Sequence, residues 1–130
     1  MIVHMWRARF KDGTSPADIT AARSALSRLV ATEPVTFSTV GRDIVDEGYH
    51  LSYCAAFPDL AALQRYLHEP AQREADLLIL PLLARIASVD ITDDPDTDLA
   101  AKVGAMFQQR IDADAELAQL FASVAGTFAA

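Results

Sequence analysis

Sulfur chemistry is nearly missing from this chain, which has one cysteine, Cys54, in 130 residues. A lone cysteine cannot close an intramolecular disulfide, so an oxidising compartment gains no support. Basic residues are scarce too: 11 Lys and Arg stand against 18 Asp and Glu, for a net charge of −7. That balance argues against nucleic acid as a partner, because phosphate binding needs a concentrated Lys/Arg surface. It argues equally against docking on anionic lipid. Long apolar runs are absent. The longest, Leu77 to Ala84, is interrupted by Pro81 and is far too short to span a bilayer. Charges follow Met1 too soon for the apolar core of a signal peptide. A cytoplasmic protein is the expectation.

Cofactor signatures are lacking as well. His4, His50 and His68 show neither His-x-His nor His-x-x-x-His spacing, so no metal site is expected. The chain has no Gly-x-Gly-x-x-Gly, no Walker-type Gly-Lys-Ser/Thr and no Gly-x-Ser-x-Gly elbow. The expected cofactor set is therefore empty.

The composition that remains is that of an ordinary soluble domain, 52% hydrophobic and 22% charged. A chain of this length has room for one domain and buries about two-thirds of its unfolded surface. Ile2 to Phe10 alternate with period two: Ile2, His4, Trp6, Ala8 and Phe10 share one face, and Val3, Met5, Arg7 and Arg9 the other. This is a first strand. Lys11-Asp12-Gly13-Thr14 reads as a turn. Ser15-Pro16-Ala17-Asp18 starts a helix, with Ser as cap, Pro in the first position and an acid in the first turn. Ile19, Ala22, Leu26, Leu29 and Val30 carry that helix to about Ala31. Val35 to Ile44 is a second strand, with Gly41 as an expected bulge or bend. Asp46-Glu47-Gly48 turns the chain into a third strand, Tyr49 to Phe57. Asp59 caps a short helix bearing Leu60, Leu63, Tyr66 and Leu67, and Pro70 opens another that runs to about Leu80. Ile86 to Thr92 is the fourth strand.

The order is β-α-β-β-α-β, which implies an antiparallel four-stranded sheet with helices on one face. Residues 1–92 form this domain. Residues 93–130 form an acidic linker and a helical extension. Four carboxylates between Asp93 and Asp98 read as a solvated linker that also caps a helix. Leu99, Val103, Met106 and Phe107 form one apolar stripe, and Leu117, Leu120, Phe121, Val124 and Phe128 a second, with Asp112-Ala113-Asp114 as either a break between two helices or a bend in one. Such stripes must cover the chain's own domain, a partner protomer or another protein.

These residues resemble the stress-responsive A/B barrel (Dabb) family over about residues 1–92. The resemblance rests on His4 early in the first strand and Phe10-Lys11 at its end, Gly41-Arg42-Asp43, Gly48-Tyr49, and Phe57-Pro58-Asp59-Leu60. Tyr66-Leu67-His68-Glu69-Pro70-Ala71-Gln72 and Ser88-Val89-Asp90 complete it. The resemblance implies a ferredoxin-like protomer that pairs with a second copy into a dimeric α+β barrel, and Val3 and Met5 suit the face that pairing would cover. It also implies, for some members, cofactor-free cyclase or lyase chemistry in a pocket between sheet and helices. There a His acts as general base and a Tyr donates a hydrogen bond to an enolate oxygen.

The Tyr corresponds to Tyr66, but the His position holds Gln72, which can donate and accept hydrogen bonds yet cannot take a proton at physiological pH. His4 is either a paired core imidazole or a stand-in base. His68 reads as a surface residue at a helix end, and His50 as pointing away from the pocket. Phe10 and Phe57 read as core. Trp6, Tyr53, Leu26 and Leu51 form the expected substrate-binding set beside the catalytic candidates His4, Tyr66 and Gln72. The expected function is a homodimeric small-molecule-binding protein, or a cofactor-independent lyase or cyclase, acting on an apolar aromatic or polyketide-like ligand. The alternatives are a cofactor-free monooxygenase of the antibiotic-biosynthesis type, for which Trp6 and His4 speak, and a non-enzymatic interaction module using the C-terminal helices.

Overall fold

A computed structural model describes residues 1–127. Phe128, assigned above to the second tail stripe, lies outside the described residues.

Strand β1 spans Ile2–Phe10, as its alternation requires, and its Ile2, His4, Trp6, Ala8 and Phe10 face is buried. Gly13, at φ +83°, makes the following turn, a backbone conformation that costs glycine little. Helix α1, Pro16–Val30, starts where Ser15 accepts a hydrogen bond from the Asp18 amide and buries Ala22, Leu26, Leu29 and Val30. Strand β2 is shorter than its β-branched run, Phe37–Arg42. Beyond it the Asp43 carboxylate accepts from the Val45 amide and bends the chain away. Strand β3 covers Leu51–Phe57. Helices α2 (Leu60–Leu67) and α3 (Pro70–Ile79) follow, with Asp59 capping the first. Pro81 sits in a 3-10 turn, Leu80–Leu82, and β4 runs Leu83–Thr92. It begins three residues earlier than its composition suggests, because Leu83 is already extended and pairs with Phe10.

Antiparallel pairing of β1 with β3 and β4, and of β2 with β3, gives the ferredoxin-like order β2-β3-β1-β4. Gly41 is no bulge: the β2–β3 register runs unbroken through Gly41 and Ser52. The irregularity falls at Arg9/Phe10, where β1 pairs with β4.

The tail forms helices α4 (Leu99–Asp112) and α5 (Ala115–Ala122), broken at Ala113. Asp98 precedes α4 without capping it through its side chain; its amide instead donates to the Asp96 carboxylate in a chain of tight turns. The tail stripes cover the chain's own domain. Leu99, Val103, Leu117 and Val124 are buried in the common core, α4 contacts α2, and α5 contacts α3. A short strand β5, Ala125–Thr127, pairs in parallel with Arg85–Ala87 of β4, so the sheet has five strands rather than four. That parallel pair occupies the outer edge of β4, which would otherwise present unpaired amides and carbonyls. Periodicity over three small residues could not signal it.

Candidate functional site

The helices do not close fully onto the sheet. They leave a cavity of about 480 Å³ with a mostly apolar wall, within the size range of small-molecule sites. Alternation along β1, β3 and β4 sets the floor. Trp6 lies opposite Tyr53 on one side and Ser88 on the other, and His4 opposite Asp90. Leu26 and Leu29 come from α1, Tyr66 and Leu67 from α2, and Gln72, Ala75, Asp76 and Ile79 from α3. The tail supplies the roof, with Phe107, Arg110 and Ile111 of α4 and Ala118 and Phe121 of α5.

His4 is 6% exposed, and its Nδ1 lies 2.7 Å from Asp90 Oδ1. A carboxylate can only accept, so Nδ1 carries a proton, and in the neutral imidazole Nε2 is the nitrogen with the free lone pair. Nε2 has no partner among the described residues. Tyr53 packs edge-on to the imidazole at 5.8 Å and Phe107 lies 5.7 Å away, which fixes the ring in place.

The Tyr66 ring is fully buried against Phe57, yet its hydroxyl makes no hydrogen bond among the described residues. The Tyr53 phenol is near enough to influence it but outside hydrogen-bonding geometry. An unpaired buried hydroxyl costs about 1–3 kcal/mol. Tyr66 lines an open cavity, and a ligand atom would reach the hydroxyl once the side chains that close it off shift. Burial raises both phenols above their ordinary range, which keeps them protonated and able to donate at neutral pH. Gln72 is 7% exposed and donates to Asp76 Oδ2 at 3.2 Å.

Of the residues singled out from sequence, His4, Trp6, Leu26, Tyr53, Tyr66 and Gln72 meet around this one cavity. Leu51 does not line it. Leu51 faces the same side as Tyr53, but it pairs with Ala8 farther along the sheet and is packed in the core. His50 accepts from the Phe10 amide and stacks on the Phe10 ring, and His68 is an exposed residue at the C-terminus of α2. Neither lines the cavity. Three ionisable residues at the site were not among the candidates. Asp90 belongs to the Ser88-Val89-Asp90 segment, and strand pairing alone reveals that it faces His4. Asp76 stands one helical turn after Gln72, a spacing that puts both on one face. Arg110 reaches the site through the tertiary packing of the tail, for which the sequence carries no local signal.

A ferredoxin-like α+β domain with a ligand-sized cavity between its sheet and helices, and an imidazole and a phenol at its wall, defines the class. The stress-responsive A/B barrel domain profile matches residues 2–93, and the chain belongs to that family. Solved structures agree on the fold. A dimeric ferredoxin-like protein of unknown function from Thermobifida fusca superposes with a TM-score of 0.64 at 24% identity, covering 70% of this chain and 89% of its own. A hydroxynitrile lyase from Passiflora edulis gives 0.61 at 18% identity, covering 72% and 94%. An antibiotic biosynthesis monooxygenase gives 0.57 at 20%, covering 73% and 100%. No curated protein matches the chain. The family match ends before α4, so the roof of the cavity lies outside it.

Proposed function

We propose that the chain is a homodimeric, cofactor-independent protein that binds an apolar, aromatic-sized molecule in the cavity and acts on it by proton transfer, as a lyase or cyclase. The observation that carries this reading is that His4, bonded through Nδ1 to Asp90, and Tyr66, whose hydroxyl has no partner among the described residues, line one apolar cavity. In the proposed mechanism His4, oriented by Asp90, removes a proton next to a carbonyl or from a hydroxyl. Tyr66 donates to the oxygen on which charge develops. His4 thus takes the part that Gln72 cannot. The lyase and monooxygenase folds seen above are compatible with such a site, and Trp6 on the cavity wall also supports the monooxygenase alternative. Oxygen uptake in the presence of substrate separates the two.

Binding is testable without knowing the substrate. Trp6 is the only tryptophan and lines the cavity, so its fluorescence reports occupancy. Titration with benzylacetone, an aromatic ketone transparent where tryptophan is excited, should change that emission saturably. Ala118→Phe, which fills the cavity from α5, should weaken binding by about tenfold or more, equivalent to 1.4 kcal/mol. Equal affinity in the filled variant would place the ligand elsewhere and sink the reading.

A further inference from the structure

The tail completes a polar wall of the cavity with a pair of opposite charges. Arg110, in the last turn of α4, reaches back to α3, where its Nη2 donates to Asp76 Oδ2. The same oxygen accepts from Gln72 Nε2. The two side chains are 13% and 14% exposed, so this is an ion pair largely withdrawn from water. Yet it is not saturated. A guanidinium has five N–H donors, and Arg110 uses one; Asp76 Oδ1 accepts from no described residue. Both residues line the cavity, and the one other ionisable base or acid of that lining, apart from the phenols, is His4. Tyr66 and Tyr53 line the same space with their phenols uncharged, and Gln108 is turned to Asp112 on its own helix.

The charges of Arg110 and Asp76 therefore cancel at the wall. A ligand carboxylate brought here would be drawn to Arg110 and repelled by Asp76 at nearly the same distance, and would still lose its hydration. A ligand ammonium meets the mirror image of that problem. An uncharged carbonyl or hydroxyl loses far less hydration, and it finds spare N–H donors on Arg110, a free acceptor on Asp76 and the unpaired Tyr66 hydroxyl. We propose that Arg110 and Asp76 are ligand-binding residues that restrict the cavity to uncharged molecules bearing a carbonyl or hydroxyl head on an apolar body. This rests on the cavity being a ligand site, and it makes the C-terminal extension part of that site.

Three probes that share a phenyl ring on a four-carbon chain test it: phenylbutyramide, phenylbutyrate and phenylbutylamine, titrated against the full chain by Trp6 emission with calorimetry as a check. The wild type should bind the amide about tenfold or more tightly than either charged probe. Asp76→Asn leaves Arg110 unopposed and should move the preference to phenylbutyrate. Arg110→Gln leaves Asp76 unopposed and should move it to phenylbutylamine. A pair that only staples α4 to α3 would instead weaken all three probes alike and lower the melting temperature, and that result overturns the proposal. So does a wild type that binds phenylbutyrate or phenylbutylamine as tightly as the amide, a comparison that holds even if the variants fail to fold. Failure of all three probes to bind the wild type would refute the ligand cavity itself, a result distinct from binding without charge selection.

Discussion

Tyr66 sets apart what a residue does for the fold from what it does for the site. Its ring packs on Phe57 in the core, while its hydroxyl is buried and unpaired. Removing the oxygen should therefore help the fold and harm the site. Tyr66→Phe is expected to raise stability by about 1 kcal/mol and the melting temperature by a few degrees in calorimetry. A fall in melting temperature would mean that the hydroxyl is already satisfied in the empty protein. Period-two and helical patterns were enough to put His4, Trp6, Tyr53 and Tyr66 on the helix-facing side. They could not say how far along the sheet the cavity extends, which is why Leu51, on the correct face, ends in the core beside Ala8. They also could not pair His4 with Asp90, since the β1–β4 register is a long-range property.

Between elements, the segment joining β2 to β3 shows how a polar cluster fixes a loop on the sheet. Arg7 of β1 donates through Nε and Nη2 to both Asp43 oxygens, at 2.7 and 3.1 Å, and reaches Glu47 at 2.9 Å. Ser52 also donates to Asp43, and the Arg7 guanidinium lies 4.3 Å above the Tyr49 ring. The sequence offered Arg7 and Arg9 on this face without their partners; the loop supplies Asp43 for Arg7 and the Gly48 carbonyl for Arg9. Gly48 turns the chain there at φ +86°, a conformation that favours glycine, and a Cβ on it would press on Arg9 Nη1 at 3.2 Å.

Arg7 first, then Ser52, hold the Asp43 carboxyl below the usual carboxylate range. The folded state therefore binds this proton less readily than the unfolded chain. The resulting stabilisation is complete above the unfolded carboxylate pKa of about 3.9 and is lost as pH falls through that range toward the folded value. Asp43→Asn should accordingly cost about 1–3 kcal/mol at neutral pH, with the gap to wild type narrowing in acid. Urea unfolding at stepped pH reads this, and a gap that widened in acid would reverse the assigned sign. The tail is the element least legible in sequence. Its helices and their break at Ala113 follow from periodicity and from Asp114 capping α5, but stripes alone do not name the surface they cover.

For the whole molecule, the sheet face turned away from the helices is the one that Val3 and Met5 suit for pairing. Register places Cys54, Met5 and Val89 side by side in one row, and Phe37, Ala56, Val3 and Ile91 in the next. Met5, Phe37, Val89 and Ile91 are exposed. A contiguous apolar face of this kind marks an interaction surface, and the Thermobifida fusca relative in fold is described as dimeric. The second copy in the proposed function sits here. Val89→Asp, on the β4 side of the face, should convert a dimer into monomers in sedimentation velocity without loss of helix signal. A wild type that sediments as a monomer at micromolar concentration would count against that partner.

The central claim concerns chemistry in the cavity, and proton exchange reaches it most directly. Benzylacetone incubated with the protein in deuterated buffer should lose its α-proton NMR signal faster than the buffer background. His4→Ala should slow that exchange by about 10²–10⁴-fold, while Gln72→Ala keeps it. Exchange at the background rate despite demonstrated binding, or exchange unchanged in His4→Ala, would contradict the assignment of His4 as the base.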